Sequence, residues 1–173
     1  SGFTINDNGK ATVSQRVRGI DAHGSNVVIR NNVLEGFNDM QVKLSSAVWV
    51  NNKWDYHNNY INNVLVEQNY FKNSLSPRWA LYVQGASGTV KDNKLENVSG
   101  MQIQPYHNGG GGTVENNDVN AFRLGIWYNG AYVRAGVWTI KENTISAAEI
   151  PEEFNYPSVV EYKEWEGIVV ETF

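Results

Sequence analysis

The sequence predicts an all-β solenoid built from stacked units of short parallel strands. Three observations carry that expectation. One stretch returns at a long, regular period, the segments between its copies alternate apolar and polar residues, and the composition favours strands and turns over helices.

The repeat is plainest in Gly88-Thr89-Val90-Lys91-Asp92-Asn93-Lys94-Leu95, which returns 24 positions later as Gly112-Thr113-Val114-Glu115-Asn116-Asn117-Asp118-Val119. As a template, an aliphatic residue, two polar positions, asparagine and an apolar residue two further on, it is found six times. The corner asparagines are Asn8, Asn32, Asn69, Asn93, Asn117 and Asn143, at spacings of 24, 37, 24, 24 and 26. The aliphatic three before each is Ile5, Ile29, Val66, Val90, Val114 or Ile140. The apolar residue two after is Leu34, Phe71, Leu95, Val119 or Ile145, and only Lys10 breaks the rule, which marks the first copy as an edge unit.

Asparagine suits such a corner. It tolerates the left-handed backbone conformation, and its amide both donates and accepts. Stacked one unit above another, the six amides are expected to bond in a continuous ladder, a structural and not a catalytic role.

Just before the aliphatic residue runs a column of Thr4, Val28, Leu65, Thr89, Thr113 and Thr139. A pure threonine array would suggest ice binding. Two aliphatic members and the broken spacing point instead to an ordinary β-branched sheet face.

Between corners lies a second strand, a small residue followed by alternation. It reads Gly19-Ile20-Asp21-Ala22-His23, Met40-Gln41-Val42-Lys43-Leu44, Ala80-Leu81-Tyr82-Val83-Gln84, Gly100-Met101-Gln102-Ile103-Gln104, Gly125-Ile126-Trp127-Tyr128-Asn129 and Gly167-Ile168-Val169-Val170-Glu171. Period-two alternation buries one face of a strand. A unit of about 24 residues with two such strands and no helix cannot bury its apolar face alone, so units must stack.

With its Val-x-x-Asn-x-Leu corners and Gly-Ile-x-Val strands, the chain resembles the right-handed parallel β-helix proteins, the pectate-lyase-like superfold. The resemblance covers nearly all of the chain and implies about six to seven coils with an asparagine ladder. It implies no particular activity. A β-sandwich is the alternative, but sandwiches have no need of a 24-residue period.

Composition bounds the rest. With 173 residues, 41% hydrophobic and 18% charged, a single domain over residues 1–173 with a sizeable core is expected. Cysteine is absent, so no disulfide staples the fold, and no apolar run approaches the length of a membrane span, so no membrane insertion is expected. Net charge is −4, yet residues 149–173 hold seven acids and one lysine against eleven acids and thirteen bases before them. No basic cluster marks a nucleic-acid footprint, so no nucleic-acid partner is expected.

Three segments interrupt the units. An aromatic insertion at about 45–62 contains Trp49, Trp54, Tyr56 and Tyr60, rings that either pack the loop down or form a sugar platform. A glycine run follows Pro105, and an acidic segment occupies about 149–166. Neither terminus carries a polar cap for a solenoid core. The chain is therefore expected to be a fragment of a longer protein or to meet other copies at its ends.

The functional expectation rests on the alternating strands. If Ile20, Met40, Leu81, Met101 and Ile126 point inward, then Asp21, Gln41, Tyr82, Gln102 and Trp127 form one outward column, with His23, Lys43, Gln84, Gln104 and Asn129 beside it. At about 4.8 Å per strand the strip is roughly 20 Å long. Aromatic rings and planar amides on one strip suit carbohydrate, whose ring faces stack and whose hydroxyls need donors and acceptors. The bland reading is a glutamine-rich face satisfied by its own ladders. The expected partner is a polysaccharide or cell-wall glycan, the binding residues being Gln41, Tyr82, Gln84, Gln102, Gln104, Trp127 and Asn129, with Trp54 and Tyr56 from the insertion.

Enzymes of the resembled superfold cleave acidic polysaccharides, so catalysis is weighed too. Asp21, His23 and Lys43 are the best acid-base candidates, with Asp39 at the edge of the strip and Arg78 and Arg123 near strand starts. The lyase patterns Trp-Ile-Asp-His and Arg-x-Pro-x-x-Arg are missing, as are the polygalacturonase and C5-epimerase signatures. His23, His57 and His107 are too dispersed for a metal site. No cofactor is expected, with calcium implied only if the protein is a lyase. The sequence thus points to a carbohydrate-contacting or structural module of a secreted or cell-surface bacterial protein, the alternative being a polysaccharide lyase or hydrolase using the same groove.

Overall fold

The computed structural model describes residues 2–6, 17–45, 48–50, 53–55, 61–74, 79–105, 110–130, 137–150 and 166–171. Among them are nineteen strands and no helix, hence none long and apolar enough to cross a membrane. The first sheet holds β1 (Thr4–Asn6), β4 (Val33–Glu35), β9 (Tyr70–Lys72), β12 (Lys94–Val98), β15 (Asp118–Ala121) and β18 (Thr144–Ala147) in that order. The second holds β2 (Ile20–Ala22), β5 (Val42–Ser45), β10 (Leu81–Gln84), β13 (Met101–Gln104), β16 (Leu124–Asn129) and β19 (Glu166–Glu171). The third holds β3 (Val28–Arg30), β8 (Ile61–Glu67), β11 (Ala86–Lys91), β14 (Gly112–Glu115) and β17 (Trp138–Lys141). Within the insertion, β6 (Val48–Val50) and β7 (Lys53–Asp55) pair antiparallel.

Every pairing in the three sheets is parallel. The chain visits first, second and third sheet in turn, and each return adds the next strand to its sheet. This is all-β architecture compatible with a parallel β-helix.

The core follows from the repeat. Ile29, Val66, Val90, Val114 and Ile140 stand in register across the third sheet. Leu34, Phe71, Leu95, Val119 and Ile145 do so across the first. Leu34, Phe71, Leu95 and Val119 are fully buried, each contributing about 1.5–3 kcal/mol of transfer free energy.

The first copy departs from expectation. Ile5 pairs with Leu34, not with Ile29, and Thr4 with Val33, so Thr4 leaves the threonine column and β1 belongs to the first sheet. Phe3 N–H donates to Asn32 Oδ1, which puts Phe3 at the corner level of its turn. Asn8 lies outside the described residues. An aliphatic residue three before an asparagine was too short a pattern to fix register, and the misfit at Lys10 was its visible warning.

The corner works differently from the sequence expectation as well. The left-handed residues are Asn31, Gln68, Asp92, Asn116 and Glu142, each one place before the corner asparagine, with φ between 54° and 57°. The asparagine instead uses its amide. Asn93 Nδ2 donates to Lys91 O, to Val66 O and to Asn117 Oδ1, each at 2.9 Å, and Asn117 repeats the pattern toward Glu115, Val90 and Asn143. Asn32 donates through N and Nδ2 to Asn69 Oδ1, and Asn69 does the same to Asn93. The amide's two N–H hydrogens are shared among three acceptors and its oxygen accepts twice, a set that Asn supplies on the shortest stem. That explains why residues as unlike as Gln68 and Glu142 occupy the strained position while the neighbour stays Asn.

Outward from the third sheet, Arg30, Glu67, Lys91, Glu115 and Lys141 share one column and alternate in sign. Glu67 lies 3.9 Å from Arg30 and 3.5 Å from Lys91, and Lys141 lies 3.0 Å from Glu115. Opposite charges directly across neighbouring strands favour this register over a slipped one.

Candidate functional site

The outward face of the second sheet carries the expected strip, with a corrected register. Ile20 pairs with Val42 and Leu81 with Val42, so Val42 and not Met40 continues the inward column. Lys43 is therefore level with Asp21 and Tyr82, and the column runs Asp21, Lys43, Tyr82, Gln102, Trp127. Beside it stand His23, Ser45, Gln84, Gln104 and Asn129. A slip of two residues preserves the alternation of faces, so apolar patterning alone could not detect it.

Gln41 is the residue displaced by this shift. It falls at the level of Gly19 and Ala80, is fully buried, and donates through Nε2 to Lys72 O at 2.8 Å. Its amide does not join the outward strip. Trp54 belongs to β7, and Tyr56, Arg78, His57 and His107 lie outside the described residues.

At one end of the strip, charges are tied together. Arg18 donates through Nε to Asp39 Oδ2 at 2.8 Å and through Nη1 to Asp21 Oδ2 at 2.6 Å. Burial works against its charge, but the hydrogen bonds and charges of Asp21 and Asp39 outweigh it and raise the Arg18 pKa. The ring of His23 meets Asp21 Oδ1 through Nε2 and the Ser45 carbonyl through Nδ1, each at 2.9 Å. Each ring nitrogen therefore faces an oxygen acceptor, and which of them carries the proton depends on the tautomer. Among the described residues no group of three His, Cys, Asp or Glu side chains could hold a metal ion.

In the middle of the strip the amides bond to one another. Ser45 Oγ donates to Gln84 Oε1 at 2.8 Å, and Gln84 Nε2 to Gln104 Oε1 at 3.3 Å. Tyr82 also donates its hydroxyl to Gln104 Oε1. Lys43, Ser45, Gln84 and Gln102 are buried, while Tyr82, Gln104, Trp127 and Asn129 are half-buried.

Gln102 is different. Its amide makes no hydrogen bond among the described residues although only 6% of the residue is exposed. Its neighbours in the column are Tyr82 and Trp127. Trp127 Nε1 is buried and likewise has no partner among the described residues. A buried donor without a partner, such as the Trp127 indole N–H, costs about 1–3 kcal/mol, whereas the Gln102 amide, though on a mostly buried residue, stays open to water.

Two contributors escaped sequence reasoning. Trp79 packs against Trp127 with ring centroids 5.2 Å apart and planes tilted by 50°, and the Arg123 guanidinium lies 4.8 Å above the Trp79 ring. Trp79 precedes its strand, and no period in the sequence places it beside Trp127. Arg18 had a weak signal, since it stands three residues before Asp21.

Compared with protein-family models, with curated proteins and with solved structures, the chain matches none of them. The class the geometry defines is an all-β protein of parallel strands in three sheets, with a polar and aromatic strip along the second.

Proposed function

We propose that the protein is a carbohydrate-contacting module of a secreted or cell-surface bacterial protein, built as a right-handed parallel β-helix of about six to seven coils with an asparagine ladder. Right-handed crossover is the rule for parallel strands joined in one sheet. Glycan runs along the outward face of the second sheet, over Tyr82, Gln102 and Trp127. The observation that carries this reading is the Gln102 amide, open to the surface and bonded to no side chain, standing in register between Tyr82 and Trp127. Tyr82 and Trp127 are two strands apart, about 9.6 Å, close to the length of a disaccharide. A sugar ring stacked on the accessible face of Trp127 brings its hydroxyls to the Gln102 amide, which offers both a donor and an acceptor.

The test is retention on a panel of soluble and insoluble polysaccharides. Gln102→Ala and Trp127→Ala are expected to abolish retention of whichever polysaccharide binds the parent chain. Unchanged retention in both variants, or no retention of any polysaccharide by the parent, sinks the proposal.

A polysaccharide lyase or hydrolase using the same face is the second reading, drawn from the Asp21 to His23 contact of 2.9 Å next to Lys43 in the column. Against it stands the absence, among the described residues, of any group of three His, Cys, Asp or Glu side chains able to hold a metal ion. New reducing ends or unsaturated uronate absorbance from an acidic polysaccharide, lost in His23→Ala, would favour it over the binding module.

A further inference from the structure

The hydrogen bonds along the second column of the strip run in one direction. Ser45 Oγ donates to Gln84 Oε1 at 2.8 Å, Gln84 Nε2 donates to Gln104 Oε1 at 3.3 Å, and the Tyr82 hydroxyl donates to that same oxygen. A carbonyl oxygen has two acceptor positions, so these bonds occupy the Gln104 oxygen in full. Its Nε2 donates to no described group and, on a half-buried residue, reaches the surface. Gln104 therefore presents donors only.

Gln102 stands two residues earlier in β13, on the same face and about 6.7 Å away along the strand. Its amide is open and unbonded among the described residues, so its oxygen can turn toward a ligand. One strand thus offers an acceptor and a fixed donor. That spacing suits a single secondary amide, whose N–H and C=O point to opposite edges and each need one partner. A single hydroxyl would draw its two partners closer, to about 5 Å.

The side chains flanking this pair carry no charge. Across the strands Gln102 meets Tyr82 and Trp127, and Gln104 meets Gln84 and Asn129. Lys43 lies beyond Tyr82 in its column, and the Arg123 guanidinium lies over the Trp79 ring. A carboxylate or sulfate seated between the two glutamines would exchange its water for neutral donors, an exchange that a carbonyl tolerates and an ionised group does not.

We propose that the glycan held along the strip carries acetamido groups, as in polymers of N-acetylated amino sugars, an inference that rests on the carbohydrate reading above. With a sugar ring over Trp127, the acetamido C=O accepts from Gln104 Nε2 and its N–H donates to Gln102 Oε1. Gln84 and Tyr82 are positioning residues that hold the Gln104 donor outward.

The probes are the β-1,4-linked hexamers of N-acetylglucosamine and of glucose, which share a backbone and differ at C2, titrated into the full chain by calorimetry. The acetylated hexamer is expected to bind about tenfold more tightly, the worth of one hydrogen bond. Gln104→Glu keeps an oxygen for Tyr82 and Gln84 and removes the outward donors. It should weaken the acetylated hexamer about tenfold, change the glucose hexamer little and leave the urea midpoint unchanged. Retention on chitin or on peptidoglycan, both acetylated, separates the two sources of the group. Equal affinity of the parent for the two hexamers, or an undiminished preference in Gln104→Glu, overturns the acetamido assignment while the glycan reading stands. Retention confined to polysaccharides without acetamido groups overturns it in the same way, and retention of no polysaccharide removes both.

Discussion

Asn93 Nδ2 donates to Asn117 Oδ1 at 2.9 Å, and the backbone N–H of Asn93 reaches the same oxygen at 3.0 Å. With its bonds to Val66 O and Lys91 O, the amide satisfies buried backbone groups of two successive turns. Asn93→Ala strands several of them at once and is expected to cost about 3 kcal/mol. Asn143, at the partly exposed end of the series, should cost about 1 kcal/mol because water reaches its partners. Urea unfolding of the two variants checks the ranking, and equal costs would refute it.

A second prediction concerns two glycines in left-handed backbone. A Cβ on Gly100, at φ 110°, would stand 1.7 Å from Leu124 O, whereas one on Gly36, at φ 78°, would meet nothing within 4 Å. Gly36→Ala therefore carries only backbone strain, about 1 kcal/mol. Gly100→Ala must also push a neighbouring strand away and is expected to cost at least about 3 kcal/mol. Thermal midpoints that fall equally in both variants would contradict this.

Arg18 joins Asp39, whose side chain is 2% exposed, to the more open Asp21. Removing the guanidinium leaves a buried carboxylate without its charge partner. Arg18→Met is expected to destabilise by about 2 kcal/mol, a figure reduced because Arg18 itself is partly solvated. Asp39→Asn in the Arg18→Met background should recover part of the loss, measured by urea midpoints of the single and double variants.

Acid weakens the first sheet through Glu35. The hydrogen bond from Lys72 lowers its pKa most, burial opposes this, and Asn73 and the Lys72 charge lower it further. A carboxylate with a folded pKa below its unfolded value adds stability that is fully present above the unfolded value, near 4.5, and is lost as pH falls through the folded value. Parent stability should therefore fall below that point, and Glu35→Gln should show a shallower fall. Parallel curves for the two proteins would exclude Glu35 as a contributor.

Within the strip, Trp127→Phe keeps a stacking ring but a smaller one, and removes the buried N–H. It is expected to weaken glycan retention about fivefold through the lost stacking surface. Tyr82→Phe, whose hydroxyl is already spent on Gln104, should change retention little. Affinity electrophoresis in polysaccharide gels reads both, and a reversed order would move the contact away from Trp127.

The legible parts of the fold were those with a period. Val66, Val90 and Val114, or Phe71, Leu95 and Val119, recur with an asparagine between them, and parallel pairing places each set in register. Near Ile5 and Met40 the pattern was too short or too forgiving, and both were assigned to the wrong level. For the strip, face was legible and contact was not. Whether Gln84, Gln102 or Gln104 had an amide to spare depended on bonds across strands.

From sequence alone came the all-β class, the stacking of units, the interior columns and the outward direction of Tyr82, Gln102 and Trp127. Each is a consequence of local periodicity, which persists whatever the rest of the chain does. Only the tertiary structure decided that Lys43 stands beside Asp21, that Gln41 is buried, that Trp79 packs on Trp127 and that Gln102 alone among the strip's glutamines is unbonded. Those outcomes depend on turn geometry and on competition among side chains brought together from distant parts of the chain, and a repeat in sequence records neither.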